Sequence, residues 1–104
     1  MRRRNVYKKA AEPQEEPEGM SKLIIDVREP FEYKTGHVEG AINLPPARLM
    51  AGAPELADVP KDTEIVVYCR SGARSSATMH YLQQMGFTNV TNGINQGHVE
   101  RNHL

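Results

Sequence analysis

The chain has 104 residues, with 13 basic side chains, 13 acidic ones and 38% hydrophobic residues. That length suits one compact domain and is too short for two. The balanced charge offers neither a basic face for nucleic acid nor attraction to an anionic membrane.

Residues 2–18 are dominated by Arg2–Arg4, Lys8, Lys9, Glu12, Glu15, Glu16 and Glu18, with Pro13 and Pro17 between them. A stretch this polar cannot bury enough apolar area to offset its ordering entropy. Residues 1–19 therefore read as a disordered arm or a vector remnant, with Met20 as an alternative start. Residues 20–104 read as the folded domain, which keeps eight basic and nine acidic side chains. No window approaches the roughly 18 apolar residues of a membrane span. The basic N-terminus lacks the apolar core of a secretory signal. One cysteine, Cys69, cannot form an internal disulfide, which fits a reducing compartment and a cytoplasmic location.

Leu23-Ile24-Ile25-Asp26-Val27 is a short apolar run of the kind that forms a strand buried on both faces. Pro30 opens one or two helical turns through Lys34, which Gly36 stops. Ala41–Leu44 reads as a second strand closed by Pro45-Pro46. Irregular helix is expected over residues 47–57, broken by Gly52 and Pro54. Glu64–Tyr68 is the clearest strand, β-branched and running straight into Cys69. A helix follows from about Arg74 to Met85, with Ala77, Tyr81, Leu82 and Met85 as its core stripe and Gly86 as its stop. Phe87–Thr91 reads as a last strand, and Asn92–Leu104 is polar and weakly patterned. Strands alternating with helices predict an α/β fold with a parallel sheet. Functional sites in such sheets lie beyond the carboxyl ends of the strands, where Cys69 falls.

Cys69-Arg70-Ser71-Gly72-Ala73-Arg74 joins a strand to a helix through a small-residue loop. The N–H groups of such a loop can converge into an anion nest, and the helix N-terminus adds partial positive charge. With Arg70 and Arg74 alongside, thiolate is favoured over thiol, and the thiolate is the nucleophile. A Cys69 pKa below 7 is expected. A buried structural cysteine needs none of these features. Asp26 and Arg28, at a strand end, suit a bracing pair. His37 suits a loop-fixing hydrogen bond better than a dyad with Cys69. His80, His98 and His103 have no ligand-like spacing with Cys69, so no metal site is expected.

Three blocks of sequence resemble the rhodanese homology family, in its single-domain thiosulfate sulfurtransferase form. The first is Ile25-Asp26-Val27-Arg28-Glu29-Pro30 with Glu32-Tyr33. The second runs from Gly36-His37 through Ala41-Ile42-Asn43-Leu44-Pro45. The third is Val67-Tyr68-Cys69-Arg70-Ser71-Gly72-Ala73-Arg74-Ser75. The resemblance covers about Leu23 to Val90. It implies a doubly wound parallel sheet with helices on both faces, here with a shortened N-terminal part. It also implies a Cys69 persulfide formed from thiosulfate or a similar small donor and discharged to a thiol, small-protein or cyanide-like acceptor. The loop Arg70, Ser71, Gly72, Ala73 and Arg74 would hold the donor, with Asp26, Arg28 and His37 supporting. No cofactor is implied, and a monomer is expected.

The chain departs from the family pattern near its end. Where many members carry a Gly-Gly pair and a nearby Trp, it has Asn92-Gly93 and no Trp. Two other functions share the scaffold. Phosphatases of this fold use a loop one residue longer, Cys-x5-Arg, against Cys69-x4-Arg74 here. A non-catalytic binding module would have no use for the cysteine.

Overall fold

The computed structural model describes residues 22–104; the arm expected at residues 1–19 lies outside them. Four strands, β1 (Lys22–Asp26), β2 (Ile42–Asn43), β3 (Glu64–Cys69) and β4 (Val90–Asn95), form one sheet in the order β2-β1-β3-β4. All three pairings are parallel, Ile25 lying opposite Ile42 and Val67, and Ile65 opposite Val90. The chain winds outward from β1 to β2, then returns to the other side of β1 with β3. The carboxyl ends of β1 and β3 therefore flank the switch point where crevices form in such sheets. Between and after the strands lie α1 (Pro30–Lys34), α2 (Pro46–Met50), a 3-10 turn at Pro54–Leu56, α3 (Ala73–Gln84) and α4 (Gln96–Asn102). No helix of the described residues is long and apolar enough to cross a membrane.

β-Strand alternation divides the core in two. Ile65, Val67 and Cys69 face α2 and α3, packing with Ile25, Val27, Leu49, Leu82 and Phe87. Val66 and Tyr68 face the other way, packing with Ile24, Val38, Ala41 and Val99 of α4. The doubly wound α/β architecture expected from the sequence is thus present, with helices on both faces.

Three local expectations are corrected. The last strand is displaced from Phe87–Thr91 to Val90–Asn95 because Phe87 belongs to the helix cap. Gly86 adopts φ 104°, its N–H bonds to the Gln83 carbonyl at 3.0 Å, and the Phe87 N–H reaches back to the Leu82 carbonyl at 3.1 Å. This is a Schellman ending, whose usual apolar contact is made here by Phe87 and Leu82 in the core. The polar tail contains α4, for which no helical periodicity is visible because Val99 is its only buried residue. Asn95 caps it by accepting the His98 N–H at 2.8 Å, and burial of the Val99 side chain adds about 1.5–3 kcal/mol. In α3 the buried residues are Ser75, Thr78 and Leu82, while Ala77 and Tyr81 face outward. The helix is rotated so that Ser75 meets Cys69.

β4 carries a bulge. Asn92 pairs with Val67 and Ile94 with Tyr68, leaving Gly93 as the extra residue. A Cβ on Gly93 would lie 2.6 Å from Val99 Cγ2, 2.8 Å from Val66 Cγ1 and 3.2 Å from the Val67 carbonyl oxygen. Only glycine fits between β3 and α4 at that point. Gly93→Ala should therefore destabilise the domain by about 1–3 kcal/mol, the usual cost of overpacking. Urea denaturation monitored by circular dichroism checks this, and an unchanged midpoint would show that β4 and α4 can separate freely.

Candidate active site

Cys69 ends β3 with 2% of its surface exposed. The chain then turns through Arg70 and Ser71 to Gly72, which caps α3 with φ 97°, a conformation natural only to glycine. This turn points the first N–H groups of α3, which have no partner inside the helix, back at the sulfur. The Gly72 amide lies 3.1 Å from Cys69 Sγ, the Ser75 amide 3.4 Å, and the Ser75 hydroxyl 3.4 Å. Burial pushes the thiol pKa up. The Ser75 hydroxyl and the amides of Ser75, Ser71 and Gly72 outweigh it, so the net value falls to about 7. Ala73 opens the helix between these donors.

The two arginines of the loop are placed differently. Arg74 donates to Glu32 Oε1 at 2.8 Å and to Oε2 at 3.3 Å. Its own pKa is raised, first by those bonds and only after them by Cys69. Glu32 also accepts the Glu29 backbone N–H at 2.9 Å, closing the first turn of α1. These two partners, Arg74 first, hold the Glu32 carboxyl at about 2 against desolvation. The pair thus ties the start of α1 to the start of α3 and neutralises much of the Arg74 charge. Arg70 leaves 73% of its side chain exposed, with Nη1 3.9 Å from Glu32 Oε2. The lowering of the Cys69 pKa comes first from Ser75 and the backbone amides, with the Arg74 charge adding to it.

Asp26 and Arg28 form a bidentate pair, with Arg28 Nε 3.0 Å from Oδ1 and Nη2 2.7 Å from Oδ2. Arg28 Nη2 also donates to the Gly36 carbonyl at 2.7 Å. Tyr68 donates to Asp26 Oδ2 at 2.9 Å and accepts the Val38 N–H at 3.0 Å. Desolvation, with the Asp26 carboxylate behind it, pushes the Tyr68 pKa up to about 12. Tyr68 faces the α4 side of the sheet and Cys69 the α3 side, so this network braces the strand end from behind. His37 bonds to the Tyr33 carbonyl through Nδ1 at 2.8 Å and stacks on the Tyr33 ring at 3.6 Å. Its contacts are with α1 rather than Cys69. Among the described residues, no group of three or more His, Cys, Asp or Glu side chains could hold a metal.

Sequence reasoning missed Ser75, Glu32 and Asn92. The Asn92 amide donates to the Gly72 carbonyl at 3.1 Å and accepts the Ser75 hydroxyl at 2.7 Å. Ser75 and Glu32 lie inside recognisable blocks. The available signals were one turn of helix after Gly72 for Ser75 and the Glu29-x-x-Glu32 spacing around Pro30 for Glu32.

A family model described as "Rhodanese-like domain" matches residues 7–97. The chain belongs to the rhodanese family. A "Sulfurtransferase" of Allochromatium vinosum is 39% identical over 70 residues, 67% of this chain and 63% of that protein. "Thiosulfate sulfurtransferase PspE" of Escherichia coli is 39% identical over 72 residues, 65% and 64% of the two chains. A "tRNA uridine(34) hydroxylase" of Photorhabdus laumondii is 33% identical over 87 residues, 81% of this chain but 25% of that one. This rhodanese domain thus spans less than two thirds of the length of these curated relatives. Among solved structures, a "rhodanese with anions from E. coli" superposes with a TM-score of 0.61 at 34% identity, covering 74% of this chain and 89% of that one.

The rhodanese loop sets the pH response of its cysteine. Iodoacetamide labelling of Cys69 should rise with pH along a single ionisation of midpoint about 7. A midpoint at or above about 8.5, the value of an unperturbed thiol, would mean that the loop donors do not reach the sulfur.

Proposed function

We infer that this rhodanese domain is a sulfurtransferase working through a Cys69 persulfide, with thiosulfate or a chemically similar anion as donor. The observation that carries this reading is the set of donors around Cys69 Sγ, namely two amides at 3.1 and 3.4 Å and a hydroxyl at 3.4 Å. Such a cradle stabilises an anionic sulfur without neutralising it. It can serve the thiolate before transfer and the terminal persulfide anion after it.

In the first step the Cys69 thiolate attacks the sulfane sulfur of thiosulfate. A new S–S bond forms at Cys69, the S–S bond of thiosulfate breaks, and sulfite leaves with the electron pair. An acceptor thiolate or cyanide then attacks the outer sulfur and restores the Cys69 thiolate, so charge and sulfur balance across the cycle. Arg70, exposed at the mouth of the loop, offers its charge to the incoming anion. Arg74, held by Glu32, keeps the loop in place. A lone thiol of this kind suits a reducing compartment such as the cytoplasm. The names of the relatives, two of them sulfurtransferases, support the same reading.

A phosphatase would need a wider ring than the one closed between Cys69 and Arg74. A binding module would have no need to lower the pKa of its cysteine. Cys69→Ser should remove thiosulfate:cyanide sulfur transfer while keeping the circular dichroism spectrum, because a hydroxyl matches the thiol in size but is a far poorer sulfur nucleophile. Appreciable turnover by the folded variant would rule out the persulfide route.

A further inference from the structure

Behind the cysteine loop, the bulge in β4 carries hydrogen bonds that the proposed chemistry does not use. The orientation of the Asn92 amide is fixed by its partners. The Gly72 carbonyl, 3.1 Å away, requires a donor, so Nδ2 faces it. The Ile94 N–H, 2.9 Å away, requires an acceptor, so Oδ1 faces that. Ile94 has φ 74°, a left-handed conformation that a β-branched residue rarely adopts. The Asn92–Ile94 bond holds it there, and its Cγ2 lies 3.4 Å from where a Cβ on Gly72 would be.

The second lone pair of Oδ1 receives the Ser75 hydroxyl at 2.7 Å. The same hydroxyl lies 3.4 Å from Cys69 Sγ, and it has a single hydrogen to give. While Cys69 is a thiol, the shorter bond to Asn92 claims that hydrogen, and the thiol can donate its own to Ser75 Oγ. Once Cys69 ionises, its proton leaves for solvent and the sulfur can only accept. To serve the thiolate, the Ser75 hydroxyl must turn from Asn92 to the sulfur, giving up one hydrogen bond to make the other.

We propose that Asn92 is a positioning residue that acts through Ser75, competing with the Cys69 sulfur for the Ser75 hydroxyl hydrogen and so restraining formation of the thiolate. The inference rests on Cys69 as the reactive group, but its readout is ionisation, which does not require that sulfur transfer be the function. The charged groups around the loop are Arg74 from α3, which interacts with Cys69, Glu32 from α1, which pairs with it, and Arg70, whose Nη1 lies 3.9 Å from Glu32 Oε2. Among the described residues, none of the three is hydrogen-bonded to Asn92. β1 and the residue following it present the apolar Leu23, Ile25 and Val27 to that side of the core, and α2 presents Leu49. Asp26 and Arg28 are bonded into the Tyr68 network on the opposite face.

The test is the midpoint of iodoacetamide labelling against pH in a double-mutant cycle. Asn92→Ala and Asn92→Gly should each lower the Cys69 midpoint by about half a unit to one unit, the equivalent of one neutral hydrogen bond. Ser75→Ala should raise it, and adding either Asn92 substitution to Ser75→Ala should bring no further downward shift. Two Asn92 variants guard against one that folds poorly, which circular dichroism would reveal. If Asn92 served only to brace the loop through Gly72, its loss would raise the midpoint and would do so with or without Ser75. A raised or unchanged midpoint, or an equal drop in the Ser75→Ala background, would overturn the proposal.

Discussion

A thiolate enclosed by protein must replace the water it loses with hydrogen-bond donors, and in this domain most of the architecture serves that replacement. Cys69 is nearly buried, so desolvation alone would keep it neutral. Its donors come from the backbone of a turn that exists only because Gly72 adopts a left-handed conformation between β3 and α3. The helix is rotated to bring Ser75 onto the sulfur, at the expense of its own amphipathic pattern, and Glu32 fastens Arg74 so that the first turn of α3 stays in place. Replacing water chiefly with fixed dipoles, helped by the Arg74 charge, leaves the sulfur reactive close to neutral pH.

The two faces of the sheet divide the work. On one, apolar side chains from β1, β3, α2 and α3 surround the sulfur. On the other, the Asp26–Arg28–Tyr68 network fixes the ends of β1 and β3 and the segment from Gly36 to Val38. Every buried charge in that network has a close partner, which is the condition for a buried ion pair to be tolerated. The β4 bulge then closes the site from behind. Gly93 lets α4 pack down, and Asn92 reaches into the loop.

The parts of this arrangement that were legible in the sequence are those carried by strong local signals. The β-branched run Glu64–Tyr68 ends at Cys69 as read, and the small-residue loop leads into a helix. The strand–helix alternation gives the parallel sheet. The rest depends on tertiary geometry. No periodicity distinguishes Ser75 from Ala77 as the inward residue of α3, because the choice is made by the sulfur that the helix must serve. Arg74 reads as a free positive charge until folding brings Glu32, 42 positions earlier, within 2.8 Å. α4 depends on a single buried valine and an asparagine cap, too little pattern in a polar tail. Phe87 looked like strand because capping contacts and strand residues have the same apolar character.

The central claim is that Cys69 accepts a sulfur atom. Intact-mass measurement of the full chain after incubation with thiosulfate, without added acceptor, tests it most directly. The account predicts a gain of one sulfur atom per chain, removed by cyanide or by excess thiol and absent from Cys69→Ser. An unchanged mass, with Cys69 still open to alkylation, would contradict it.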